Sequence, residues 1–118
     1  MSAERRNLKR RRCNYYVKVV DNATRQLVGY FADLSEQGFK VDSSQPIVVN
    51  KDYNLRVDLA SDVSDKAFIA FVARSRWLRP DALDPSQVNV GFQIVNISEH
   101  DNQIFQRVVA QYGTDSVW

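Results

Sequence analysis

The chain has a single cysteine, Cys13, and a single histidine, His100. One thiol cannot close an intramolecular disulfide. One thiol and one imidazole cannot build a histidine- or thiolate-rich metal site, and His100 falls in the first turn of an expected helix, where a surface role is the simpler reading. The three prolines, Pro46, Pro80 and Pro85, all stand in stretches that read as loops. No apolar run approaches the roughly 18 residues needed to span a bilayer, and none follows the basic N-terminus closely enough to form a secretory signal. Catalytic signatures are missing too. No base is placed to activate Ser35, the acids are scattered rather than paired, and no glycine–lysine phosphate loop is present. These absences point to a soluble, cytoplasmic, non-catalytic protein with no cofactor and no membrane insertion.

What is present is charge in one place. The formal net charge is only +2. Within residues 1–18, however, Arg5, Arg6, Lys9, Arg10, Arg11, Arg12 and Lys18 face a single acid, Glu4, so the rest of the chain is net acidic. Such a local cluster suits an anion met at one point. At 118 residues and 44% hydrophobic content the chain reads as one domain able to bury its own core. Residues 1–12, poor in apolar side chains, are expected to form a flexible basic arm, and residues 13–118 a single folded domain.

From Cys13 onward the pattern is that of short strands. Asn14 to Val20 is β-branched and aromatic, and Asp21 to Thr24 carries turn chemistry. Leu27 to Ala32 and Phe39 to Val41 read as strands on either side of Asp33-Leu34-Ser35-Glu36-Gln37-Gly38. Leu55, Val57 and Leu59 share one face of a fourth strand. Ala67 to Leu78 is a long strand, apolar on both faces at its start, and Val88 to Val95 is the last, with Gly91 inside it. Ser98 is placed to cap a helix with Asp101 at its third position, as in a capping box. Ile104, Phe105, Val108 and Val109 then form one apolar stripe, and Gly113 ends the helix. About six closely spaced strands followed by one helix predict an all-β, six-stranded antiparallel barrel with a C-terminal α-helix. The helix either closes one opening or lies across the outside.

The strand exit carries an acceptor, a small donor and a permissive backbone within six residues. A guanidinium grips phosphate and stacks on a base. The carboxylate of Asp33 complements the N1 and N2 donors of guanine, the hydroxyl of Ser35 can donate to phosphate or N7, and Gly38 allows a turn and close approach to a flat ligand. Trp77 divides between stacking on a base and packing in or near the core.

Arg6-Asn7-Leu8-Lys9-Arg10 fits R-x-x-x-R, and Asp33 to Gly38 fits [DN]-x-S-x-x-G. In this order, with the arginines just before the first strand, the pair resembles the PilZ domain. Val72 to Trp77 is similar to its long central strand, and Val90 to Val95 to its glycine-containing strand before the last helix. The resemblance covers nearly the whole chain. It implies a bacterial receptor for cyclic di-GMP, with Arg6 and Arg10 gripping phosphate and guanine, and Asp33, Ser35 and Gly38 holding another guanine edge. Arg5, just before the arginine motif, implies two stacked ligand molecules per chain. With no output domain in the sequence, the signal passes to an unidentified effector protein, in motility, surface-polymer, biofilm or virulence regulation, among which no residue chooses. Two other readings stand beside it. One is a small barrel binding RNA or single-stranded DNA through the basic arm with Tyr15, Tyr16 and Trp77, although the acidic remainder weighs against a nucleic-acid track. The other is a scaffold that binds only protein.

Overall fold

A computed structural model of the chain describes residues 11–13 and 15–115. The expected arm up to residue 10, and with it Arg5, Arg6 and Arg10, lies outside the described residues. Eight strands and one helix follow in order: β1 (Arg11–Cys13), β2 (Lys18–Asp21), β3 (Leu27–Ser35), β4 (Gly38–Ser43), β5 (Asp52–Asp58), β6 (Phe68–Pro80), β7 (Val88–Asn96), α1 (Glu99–Tyr112) and β8 (Gly113–Asp115).

All pairings are antiparallel. The barrel order is β2-β5-β6-β7-β4-β3, and β2 pairs again with β3, which closes six strands on themselves. Closure leaves no free edge within the barrel. The expected barrel and terminal helix are therefore present. Two short strands were not foreseen: β1 adds to the C-terminal half of β3, and β8 adds to β1. The expected first strand, Asn14 to Val20, is cut short. Tyr15 and Tyr16 lie outside any strand and are exposed, and pairing resumes at Lys18.

Inside the barrel the side chains follow the period-two rule. Leu55 and Val57 of β5, Ile69 and Ala73 of β6, Val41 of β4 and Val90 of β7 are fully buried. The turn after β2 forms as its residues dictate, with Asp21 Oδ1 accepting from the backbone N–H of Ala23 and of Thr24, each at 2.9 Å. On the outer side of β6, Phe68 is roofed by the Arg56 guanidinium at 3.7 Å from its ring centre.

Helix α1 closes one opening of the barrel. Its stripe of Ile104, Phe105, Val108 and Val109 is buried, and the Phe105 ring centre lies 6.4 Å from Phe39 and 6.3 Å from Phe71. Burying such a ring contributes roughly 1.5–3 kcal/mol. Ser98 caps the helix by accepting from the Asp101 N–H at 3.1 Å. The reciprocal half of the capping box differs from expectation. The Asp101 carboxylate turns to the barrel, where it pairs with Lys66 and accepts from the Ala70 N–H at 3.2 Å. Gly113 ends the helix in an extended conformation (φ −91°, ψ 146°) because it begins β8.

Asp101 thus joins helix to barrel. Asp101→Ala should lower stability by about 2 kcal/mol, the loss of charge-assisted hydrogen bonds at a shielded site. Urea unfolding checks this; an unchanged midpoint would mean that the helix docks by its apolar stripe alone.

Candidate ligand-binding groove

Strand β3 cannot keep strict alternation through its length. Phe31 pairs with Val41 and Asp33 with Lys40, so Ala32 is one residue extra on β3. Phe31 and Leu34 both point inward and are buried, three positions apart. Without the extra residue Asp33 would follow Phe31 into the core. The bulge turns it outward, as single insertions in a ladder do. Strand β6 repeats the device. Ser75 pairs with Phe92 and Trp77 with Gly91, which leaves Arg76 as the inserted residue. Ser75 is fully buried and Leu78 packs against the core, again three apart, and Trp77 emerges on the outer face.

The register then lines up a row across five strands: Arg12 of β1 beside Asp33, Asp33 beside Lys40, Lys40 beside Gly91, Gly91 beside Trp77. The next row holds Ser35, Gly38, Gln93 and Arg74. Between them runs a groove of about 230 Å³ whose walls include Asp33, Ser35, Gly38, Lys40, Arg76 and Trp77. Of the residues expected to bind, Asp33, Ser35, Gly38 and Trp77 are brought together here.

The glycines make the floor. A Cβ on Gly91 would stand 2.2 Å from Trp77 Nε1, so the indole lies down against the bare backbone. This answers the question left open for Trp77: it is half-buried on the outer face and not in the core. A Cβ on Gly38 would stand 2.2 Å from the Phe92 carbonyl oxygen. No glycine has a positive φ. The approach of β7 thus requires glycine at position 38 whether or not the turn does.

In the groove, Asp33, Lys40, Ser35 and Trp77 already have partners. Lys40 Nζ lies 3.3 Å from Asp33 Oδ2. The Ser35 hydroxyl donates to the Gly38 carbonyl at 3.2 Å. Having one proton, it gives up that bond to donate elsewhere, while its lone pairs can accept. The Arg79 guanidinium sits over the Trp77 ring at 4.9 Å, so part of that indole face is already covered. The short turn between β3 and β4 is held from two sides: the Ile94 N–H donates to the Gln37 carbonyl at 2.9 Å, and Gln106 Nε2 donates to the Glu36 carbonyl at 2.9 Å.

Beyond Asp33 a second depression includes Arg12, Cys13, Tyr16, Tyr30, Asp42 and Asp81. Burial pushes the Asp42 carboxyl above its usual range, with Lys40 opposing and Asp81 adding to the shift. Asn89 donates to both acids, at 2.7 Å to Asp42 and 3.0 Å to Asp81. That bond, with those from the Leu83 and Asp84 backbone N–H groups, holds Asp81 below its usual range. Burial raises the Cys13 thiol, and the Asp33 carboxylate adds to the effect. Among the described residues no cluster of metal-binding side chains occurs.

Sequence reading missed Lys40 and Arg76 as groove residues. For Arg76 the available signal was Ser75-Arg76-Trp77-Leu78, where the alternation of the long strand breaks down. For Lys40 it was adjacency to the motif on a strand whose neighbours Phe39 and Val41 point inward. Arg12, grouped with the arm, is an exposed residue of β1 opposite Asp33.

The PilZ domain profile matches residues 4–111. Two solved structures share the fold, each at 15% identity. One is described as the PilZ domain with c-di-GMP of YcgR from Escherichia coli, with a TM-score of 0.69, covering 92% of this chain and 91% of that one. The other is the Bacillus subtilis inhibitor of motility, MotI/DgrA, with a TM-score of 0.68, covering 91% of this chain. This chain spans 50% of the length of MotI/DgrA. No curated protein matches the sequence. Among the described residues no helix is long and apolar enough to cross a membrane.

The two glycines should respond differently to alanine. Gly38→Ala drives a methyl into backbone and should cost about 1–3 kcal/mol in urea unfolding. Gly91→Ala meets a movable side chain, so stability should change less while Trp77 swings into water. In a Trp118→Phe background, fluorescence emission of Gly91→Ala should shift to longer wavelength; unchanged emission would contradict the packing of the indole on Gly91.

Proposed function

The chain belongs to the PilZ domain family, and we propose that it is a non-catalytic cytoplasmic receptor that clamps cyclic di-GMP between its N-terminal arginines and the groove. The observation that carries this reading is the convergence of Asp33, Ser35, Gly38 and Trp77 on one outer face, through two separate bulges. The register of β1, with Arg11 opposite Leu34 and Arg12 opposite Asp33, brings the described start of the chain to the motif. The ligand named for the YcgR domain supports the choice of nucleotide.

In this reading the Asp33 carboxylate accepts from N1 and N2 of one guanine. Lys40 then exchanges its carboxylate partner for the ligand's negative charge. The Ser35 hydroxyl contacts phosphate or N7, and the indole of Trp77 offers an apolar surface to a base. Arg6 and Arg10 grip phosphate and guanine by fork geometry. Arg5 accompanies a stacked pair of ligands, whose four phosphate charges need several cations nearby. The occupied receptor signals through an effector protein.

Calorimetric titration with cyclic di-GMP, GTP and a short single-stranded oligonucleotide tests the proposal. Cyclic di-GMP alone should bind tightly, with about two ligands per chain, and Arg5→Ala should bring the ratio toward one. Asp33→Ala should weaken binding about tenfold or more, as loss of a charged acceptor does. A purely electrostatic nucleic-acid binder gives the opposite sign, because removing a negative charge from its surface helps it. Oligonucleotide binding with a steep salt dependence and no response to cyclic di-GMP would overturn the receptor assignment.

A further inference from the structure

Building on the ligand proposed above, we infer that Arg76 is a phosphate-binding residue of the groove, belonging to neither sequence motif. Three observations converge on it. The first is its position. Arg76 is the inserted residue of the β6 bulge, next to Trp77, and it lines the same groove as Asp33 and Ser35. A bulge re-aims the side chain it carries, and this one leaves Arg76 exposed where the flanking Ser75 is fully buried.

The second is that its charge is uncommitted. Most cations among the described residues have partners. Arg56 pairs with Asp58, Arg74 with Asp52, Lys66 with Asp101 and Lys40 with Asp33. Arg79 and Lys51 sit over aromatic rings, and Arg25 and Arg107 donate to backbone carbonyls. Arg76 makes no such contact among the described residues. A guanidinium without an acid among the described residues, in the same groove as the carboxylate that would read a base edge, is placed for the anionic part of the same ligand.

The third is chemical fit. A nucleotide carries a flat base and a phosphate a few ångströms apart, and adjacent residues here present a flat indole and a fork of donors. Lys40 provides a compact charge, whereas Arg76 offers paired donors that match phosphate oxygens. It is also anchored on a barrel strand, so less ordering accompanies its contact than accompanies that of a free segment. The groove therefore holds a phosphate-binding cation on its β6 wall, in addition to any charge the N-terminal arginines supply.

Calorimetry with cyclic di-GMP on the intact chain and on Arg76→Ala, Arg76→Gln, Arg76→Lys and Lys18→Ala tests this. Lys18 belongs to the basic N-terminal stretch by sequence, but it is an exposed cation of β2 that lines neither depression, so its removal controls for net charge. Arg76→Ala and Arg76→Gln should weaken binding about tenfold or more. Arg76→Lys should recover part of the loss, and Lys18→Ala should change affinity less than twofold. The salt dependence of binding should become shallower in Arg76→Ala. Equal affinity for Arg76→Ala and the unaltered chain, or equal losses for Arg76→Ala and Lys18→Ala, overturns the inference while the receptor assignment stands. Failure of the unaltered chain to bind cyclic di-GMP overturns that assignment, and this inference with it.

Discussion

Alternation is the constraint on which this structure turns. A barrel strand sends successive side chains in and out, and the core of a six-stranded barrel has little room for error. Two single-residue insertions, Ala32 in β3 and Arg76 in β6, reverse the alternation at chosen points. Each leaves an apolar interior intact on both sides of the break. Each also delivers outward a side chain that would be costly inside, the carboxylate of Asp33 and the large indole of Trp77. Because the register places both in one row with Lys40 and Gly91, the insertions create the groove rather than merely border it.

The pairings inside the groove would make the proposed ligand binding an exchange. Asp33 has Lys40, Ser35 has the Gly38 carbonyl, and Trp77 has Arg79 over its ring. A ligand gains only the difference between its own contacts and those it replaces. The scaffold, in contrast, is fixed. The turn between β3 and β4 is tied to β7 through Gln37 and to α1 through Gln106, and Phe105 packs that helix against Phe39, the neighbour of Gly38 in β4. A site held in this way spends little of its binding energy on ordering its own walls.

Much of this was legible in the residues. The helix stripe from Ile104 to Val109 and the inward set Leu55 and Val57 follow from local periodicity, and both are buried as expected. Asp33, Ser35 and Gly38 are close in sequence, so their proximity was never in doubt. Trp77 was harder, because its side of the sheet depends on how β6 registers against β7, a non-local property. The short strands β1 and β8 depend on each other and on β3, and no three-residue segment signals such pairing alone. Gly38 was read as allowing a turn and close approach to a flat ligand, whereas the contact that excludes a Cβ there is with the Phe92 carbonyl, far away in sequence. Lys40 and Arg76 escaped notice because their places in the groove are set by neighbours across the sheet.

The central claim is that the outer face built by the two bulges is the nucleotide site. A titration of isotope-labelled protein with cyclic di-GMP, followed through amide and indole resonances, addresses it residue by residue. The account predicts that the largest shifts fall on Asp33, Ser35, Gly38, Lys40, Arg76, Gly91 and the Trp77 indole N–H, with the outer side of β5 near Arg56 and Phe68 unmoved. Saturable shifts centred on β5 or on the exposed face of α1, with the Trp77 indole unchanged, would contradict it.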